Sequence, residues 1–386
     1  MNVIRDIEAQ LDDLTAIRRD FHAHPELGFE EVRTSKIVAE LLKSWGIEVH
    51  SGIGGTGVVG VLKGSEPGEK IVGLRADMDA LPLQEKTNLS YASSNDGCFH
   101  GCGHDGHMAM LLGAAQYLSK TRQFRGQAVF IFQPAEEGLG GAKAMISDKL
   151  FEMFQCDEVY GIHNDPLAPF GTVAVKSGTW FAGATSFDIE IQGRGGHGAY
   201  PHRANDPIVI SAALIQGLQS VISRYTDPLK PAVLSVTKIH GGEAYNVIPD
   251  RVLLGGTIRY FDDGIRDGIY QHIRDLCRGT GVSYGADISV ELREVFSVLA
   301  NDPDLSDQYL DIARGVVGRE NTVKSDVLFT GSEDFADMLK VVPGAYCMIG
   351  HGSGVPVHNP GFIFDDKILP VAASLLARIV ENRLPV

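Results

Sequence analysis

The densest chemistry in the chain lies in His100-Gly101-Cys102-Gly103-His104-Asp105-Gly106-His107, where histidines and a cysteine crowd a glycine-rich segment. Thiolate and imidazole together suit zinc-like metals. Cys102 and His104, two apart on an irregular path, can point at one ion, and the flanking glycines permit a backbone course that other residues resist. A buried thiol beside a helix start, with chance histidines nearby, is the bland alternative, and this density argues against it. A Cys–His nucleophilic pair is a second chemical reading, which would need no further ligands elsewhere.

Other segments offer what such a site would lack. In Arg75-Ala76-Asp77-Met78-Asp79-Ala80-Leu81-Pro82, two carboxylates two apart follow an apolar run. At strand period Asp77 and Asp79 point the same way, at the strand end where α/β sheets place their sites. They could equally cap a turn or helix. In Gln133-Pro134-Ala135-Glu136-Glu137-Gly138 the adjacent carboxylates cannot share a direction, so one can bind metal while the other handles a proton. A bare Glu-Glu pair is usually solvated surface, and its position directly after an apolar strand raises this one. His163, in Gly161-Ile162-His163-Asn164, and His358, in Val357-His358-Asn359-Pro360, are lone histidines of the kind more often structural than ligating. They count as the missing nitrogens of a site already holding Cys102, His104 and Glu137. A separate polar set comprises His197 near Pro201-His202, Asn246 before Val247-Ile248-Pro249-Asp250, and Arg259 after Gly256-Thr257-Ile258. An Arg and an Asn ending strands can grip a carboxylate, Arg through its planar fork, although spacing alone favours an exposed Arg and a turn-forming Asn.

The elements that must position these residues fall into two textures. Residues 1–45 read as helical with an interruption at His24-Pro25. Strands are expected at 58–62, 70–75, 127–132 and 158–163, with a buried apolar helix after His104. This alternation predicts an α/β sheet with helices on both faces. From Gly183 the pattern becomes strand (186–192), helix (207–223), strands (233–240 and 252–260), helix (265–277) and strand (288–295), the ferredoxin-like order. The expected organisation is a discontinuous metal-binding domain, 1–182 and 295–386, interrupted by a smaller α+β domain at 183–294.

Size and charge bound the function. The chain has 386 residues, comfortable for two domains, and a formal net charge of −15. That acidity argues against non-specific nucleic-acid binding. No signal-type segment opens the chain, and no apolar run reads as long enough to span a bilayer. Five irregularly spaced cysteines do not suggest a disulfide framework, so a reducing cytoplasm is the expected home.

Taken together, these segments resemble the aminoacylase/carboxypeptidase family of metallo-amidohydrolases, and within it the hippurate hydrolase and auxin-conjugate amidohydrolase branch. The likeness runs from Arg18-Arg19-Asp20-Phe21-His22-Ala23-His24-Pro25-Glu26-Leu27-Gly28-Phe29 through the motifs above to Gly331-Ser332-Glu333-Asp334-Phe335 and Val357-His358-Asn359-Pro360. It implies a mixed α/β catalytic domain with a zinc-peptidase-like sheet and an inserted ferredoxin-like lid or dimerisation domain. It also implies two divalent metal ions (manganese, zinc, cobalt or nickel) on Cys102, His104, Glu137, His163 and His358, with Glu136 as general base. Asp79 or Asp77 would orient a ligand. His197 would stabilise an oxyanion in its own or a partner subunit's site, and Asn246 and Arg259 would bind the substrate's carboxylate. The implied reaction is hydrolysis of N-acyl amino acids by a homodimer or homotetramer. A dipeptidase or carboxypeptidase on the same scaffold is the alternative, and a catalytically silent metal-binding protein a more distant one. Two departures from the family pattern, Asp165 after the His-Asn pair and the segment 178–186, bear on lid contacts and substrate choice.

Overall fold

The computed structural model describes residues 1–386. The chain forms two compact units: Met1–Thr179 with Ala300–Val327 and Asp334–Val386, and Trp180–Leu299 with Leu328–Glu333.

The first unit is built on a mixed eight-stranded sheet. In spatial order its strands are Glu48–Ile53, Gly57–Lys63, Arg125–Gln133, Glu66–Asp77, Glu158–Asp165, Gly344–Gly350, Val173–Val175 and Thr322–Lys324. Its middle is parallel. Asp77 lies opposite Gln133 on one neighbour, and Arg75 opposite Gly161 on the other. Gly344–Gly350 continues the parallel run beside Glu158–Asp165. Buried on both faces, these strands read as continuous apolar runs such as Val129 to Phe132. The helix His104–Thr121 is buried along nearly its whole length, matching its apolar sequence, and packs against Leu369–Arg383 and the strand Glu66–Asp77. The strand Glu48–Ile53 was not expected. It is an exposed edge strand whose polar residues hide the period-two signal.

The second unit has a four-stranded antiparallel sheet in the order Ala232–His240, Arg251–Tyr260, Gly183–Gln192, Asp287–Phe296. The helices Pro207–Ser220 and Asp263–Tyr284 interrupt the strands as the ferredoxin-like order requires. Ile189, Ile191, Leu214, Leu218, Leu254 and Ile273 are among the residues of its core. Its bounds differ from 183–294. Trp180 to Ala182 and Leu328 to Glu333 belong with it, because Phe329 N–H donates to Trp180 O, Ala182 N–H donates to Phe329 O, and the Phe181 and Phe329 rings stack at 5.3 Å. A pairing between positions so far apart in sequence leaves no local pattern to read. One further expectation is corrected. Pro207–Tyr225, 19 residues, is long and apolar enough to cross a bilayer by length and composition. Helix and terminal π-turn form one run, and Ile210, Leu214, Leu218 and Val221 enter the unit's core.

Candidate metal centre

The parallel strands of the first unit deliver their carboxyl ends together, and the segments singled out by sequence meet there. Cys102, His104 and His163 place one donor atom each within a single metal-sized group, and so do Cys102, Glu137 and His358. The two groups share Cys102. His104, Glu136 and Glu137 form a third. Cys102 Sγ lies 3.4 Å from His163 Nε2, and Glu137 Oε1 lies 3.3 Å from His358 Nε2 and 3.9 Å from His104 Nε2.

The backbone explains how so irregular a segment closes on itself. Gly103 sits at φ 94°, a conformation that favours glycine, immediately before the helix at His104. His358 is also left-handed, at φ 61°, and its N–H donates to Gly101 O at 2.8 Å, fastening the C-terminal loop to the cysteine segment.

The histidines are oriented by their outer nitrogens. His104 Nδ1–H donates to Asp79 O (2.8 Å) and His163 Nδ1–H to Asn164 O (2.7 Å), so each turns Nε2 inward as a lone pair. His104 Nε2 and Glu137 Oε1 are buried and have no hydrogen-bond partner. A buried polar atom left alone costs about 1–3 kcal/mol, and two facing each other across a thiol, an imidazole and a carboxylate suit a bound cation. Electrostatics agree. The neighbouring Cys102 and Glu137 push His358 up to about 10, and burial, then Glu137, push the Cys102 thiol up. The His358 shift reports the acidic partners beside it, and the Cys102 shift reports chiefly its burial.

Asp79 and Asp77 sit at the same strand end with different tasks. Both oxygens of Asp79 are used: Oδ1 accepts from Glu136 N–H and Oδ2 from Glu137 N–H, each at 3.0 Å. Asp79 thus holds the two glutamates and, through its carbonyl, His104. Asp77 Oδ1 accepts from His107 Nδ1–H at 2.6 Å, and Oδ2 from Arg75 at 2.7 Å. Burial alone would raise Asp77, but His104, His107 and Arg75 hold it well below the usual carboxylate range. Arg75 also reaches Gln133 (2.8 Å) and Asp334 (3.1 Å), and Asp334 accepts from Gln133 (2.7 Å) and Ala142 N–H (2.9 Å). This explains the expected Glu333-Asp334 motif: its aspartate braces the strand ends. Asp165 is a turn cap whose Oδ1 accepts from Leu167 and Ala168 N–H.

Sequence reasoning passed over a second buried network beneath the helix start. Asp105 Oδ2 meets His22 Nδ1 at 2.7 Å and Arg18 Nη1 at 3.2 Å, and Arg18 Nε meets Asp366 at 2.7 Å. Arg18, His22 and Asp105 are almost entirely buried. Against the burial penalty, Asp105 raises His22 to about 9. The signal was present in Arg18-Arg19-Asp20-Phe21-His22, but its partners lie far away in sequence.

The second unit brings His197 and Asn246 together and keeps Arg259 on its sheet. His197 lies opposite Val247 in a short antiparallel pair, and Gly198 N–H donates to Asn246 O at 2.8 Å. Both side chains are exposed. His197 Nδ1 accepts from Ala199 N–H at 3.1 Å, which puts the ring proton on Nε2. Arg259 is half-buried and forms no ion pair. Its Nη1 donates to Thr257 Oγ1 and to Ile258 O (3.1 Å), and burial pulls its pKa down. A desolvated guanidinium without a carboxylate invites an anion.

Comparison with known proteins gives a consistent result. Residues 73–382 match the profile of peptidase family M20/M25/M40. The chain is 42% identical over 384 residues to the hippurate hydrolase of Campylobacter jejuni, covering 100% of both. It is 40% identical over 395 residues to thermostable carboxypeptidase 1 of Saccharolobus solfataricus, covering 99% of this chain and 98% of that protein. A solved Bacillus subtilis structure, described as a dinuclear metal binding peptidase from the M20 family, matches with a TM-score of 0.85 at 34% identity, over 98% of this chain and 99% of that one.

Proposed function

Because the chain belongs to peptidase family M20/M25/M40, we propose that it is a metal-dependent amidohydrolase cleaving N-acyl amino acids to a carboxylate and a free amino acid. The observation that carries this reading is the pair of donor groups sharing Cys102, with Glu136 against His104 and Glu137. Cys102, His104 and His163 would hold one divalent ion, and Cys102, Glu137 and His358 the other. Bound there, such ions supply Lewis acidity to the acyl oxygen and acidify the attacking water. Manganese, zinc, cobalt and nickel all suit the mixed donor set, and availability selects among them.

The protein's own residues do the rest. Glu136 takes the proton of the attacking water and returns it to the leaving nitrogen. Asp79 fixes Glu136 and Glu137 by their amides and His104 by its outer nitrogen, so base and ligands keep one spacing. His197, with its proton on Nε2, is the proposed donor to the developing oxyanion. Arg259 and Asn246 are the proposed grip on the substrate's carboxylate. Hippurate, named for the Campylobacter relative, is an N-acyl amino acid with such a carboxylate.

The insert also supports a homodimer or higher assembly. Ile208 and Val209 on its apolar helix, and Val233 and Ile239 on the edge strand Ala232–His240, are exposed. Open edges and apolar patches of this kind are covered in stable proteins. The five cysteines are all unpaired, which favours a reducing cytoplasm.

The test is Glu136→Gln assayed on N-acetyl and N-benzoyl amino acids and on dipeptides. It should keep its metal and lose about 10²–10⁴-fold in turnover; near-parental turnover would remove Glu136 from the role of base. The carboxypeptidase relative supports a second reading on the same residues, and preference for dipeptides over acyl substrates would select it.

A further inference from the structure

Asn164 is 1% exposed and every polar atom it has is used. Its Nδ2 donates to Cys102 O at 2.6 Å, its backbone N–H donates to His107 Nε2 at 3.0 Å, and its carbonyl accepts from His163 Nδ1 at 2.7 Å. A carbonyl can only accept, so Nδ2 must face Cys102 and Oδ1 must face the other way. There Oδ1 meets His351 Nε2 at 2.9 Å. His351 must therefore carry its proton on Nε2. His351 is 2% exposed, its ring lies against Phe362 and Phe364, and its backbone N–H donates to Asp165 O at 3.0 Å. Burial lowers its pKa to about 4, in keeping with a neutral ring. Gly103 leaves room for this arrangement, because a Cβ there would stand 2.5 Å from Asn164 Nδ2.

We propose that Asn164 and His351 are positioning residues of the metal centre: His351 locks the Asn164 amide, and Asn164 sets the Cys102 segment and the His163 ring relative to each other. The proposal rests on the reading of Cys102 and His163 as ligands. One residue thereby couples two donors 61 positions apart in sequence. Groups that orient ligands from outside typically contribute about 10–100-fold in metal affinity. His351 touches neither donor, so its influence must pass through the amide. Turning the amide over would set Oδ1 against Cys102 O, two acceptors face to face, and the cysteine segment would have to move.

The experiment compares the parent with His351→Leu, His351→Gln and Cys102→Ala by cobalt(II) titration against a competing chelator. The thiolate-to-cobalt absorption band and the melting of the metal-free proteins are recorded alongside. Leucine removes the donor, and glutamine restores an N–H at similar reach. His351→Leu should bind cobalt about 10–100-fold more weakly with a shifted band and melt somewhat lower as metal-free protein, because Asn164 Oδ1 loses its donor, and His351→Gln should recover most of all three. Parental affinity and band in His351→Leu, or a loss that His351→Gln does not recover, would overturn the proposal. Cys102→Ala separates the two claims. It should lose the band and most affinity; if it keeps both, the ligand reading itself fails, whereas loss there with none in His351→Leu defeats only the positioning role.

Discussion

The donor cluster around Cys102 and the polar set around His197 are supported in opposite ways. Cys102 and His104 are buried, and Asp79, Asn164, Arg75 and Asp334 brace the segments around them with hydrogen bonds that leave little slack. His197 and Asn246 are exposed on a short strand pair, and Arg259 is desolvated without an ion partner. The first region is preorganised for a small, highly charged group whose geometry must be held. The second leaves His197 Nε2, the Asn246 amide and the rest of the Arg259 fork unpaired, as expected of residues whose partner is a substrate. Substitutions under the first region should therefore cost stability, and those in the second should cost turnover or binding alone.

The largest effect expected is at Arg18. Its guanidinium is fully buried between Asp105 and Asp366, and removing one partner of such a network typically costs about 3–5 kcal/mol. Chemical denaturation of Arg18→Ala should show a loss of that order, and an unchanged midpoint would mean the network carries no load. Next is His197→Ala. Turnover should fall about 10²-fold, the usual contribution of one oxyanion donor, while the melting temperature stays at the parental value; a matching drop in stability would erase the contrast between the regions. Arg259→Ala should raise KM about 10-fold or more for substrates with a free carboxylate, since hydrogen bonds to charged groups contribute about 1.5–3 kcal/mol. Substrates with that carboxylate masked as an amide should be little affected, and equal effects on both would rule out a carboxylate grip.

The smallest effect is a pH dependence remote from both regions. Burial pushes Glu158 up, but hydrogen bonds from Arg383, Lys70 and Tyr160 outweigh it and hold the carboxyl at about 2, below its ordinary 4.5. Because the folded value is depressed, its contribution is present above about pH 4.5 and is lost as pH falls toward 2. Acid titration of stability should be shallower in Glu158→Gln across that window. Identical slopes would show that the ion cluster does not stabilise the fold.

What could be read from sequence follows the range over which each feature is encoded. The buried helix at 104–121 is written in the apolar run Met108 to Ala115, and the residues of the candidate centre announce themselves by type: Cys102, His104, Glu136 and His163 lie near a strand end or a helix start in short motifs. The long-range partnerships that brace the centre carry no such mark. His351 bonds Asn164 across 187 positions, and Arg18 reaches Asp366 across 348. A lone histidine or arginine has no spacing pattern, so only the folded chain reveals its partner. The same holds for Leu328 to Glu333, whose membership of the second unit rests on pairing with Trp180 to Ala182. Asp165, the departure from the family pattern after His163-Asn164, closes a turn with its side chain, a local role that the family comparison does not show.

The central claim is that the Cys102 cluster is a dinuclear centre for amide hydrolysis. The most direct measurement is hydrolysis of N-benzoylglycine by chelator-stripped protein as one divalent metal is added back in known equivalents. Activity should be absent without metal and should reach its full value only at two equivalents per chain. Undiminished hydrolysis by the metal-free protein, or saturation at one equivalent, would contradict it.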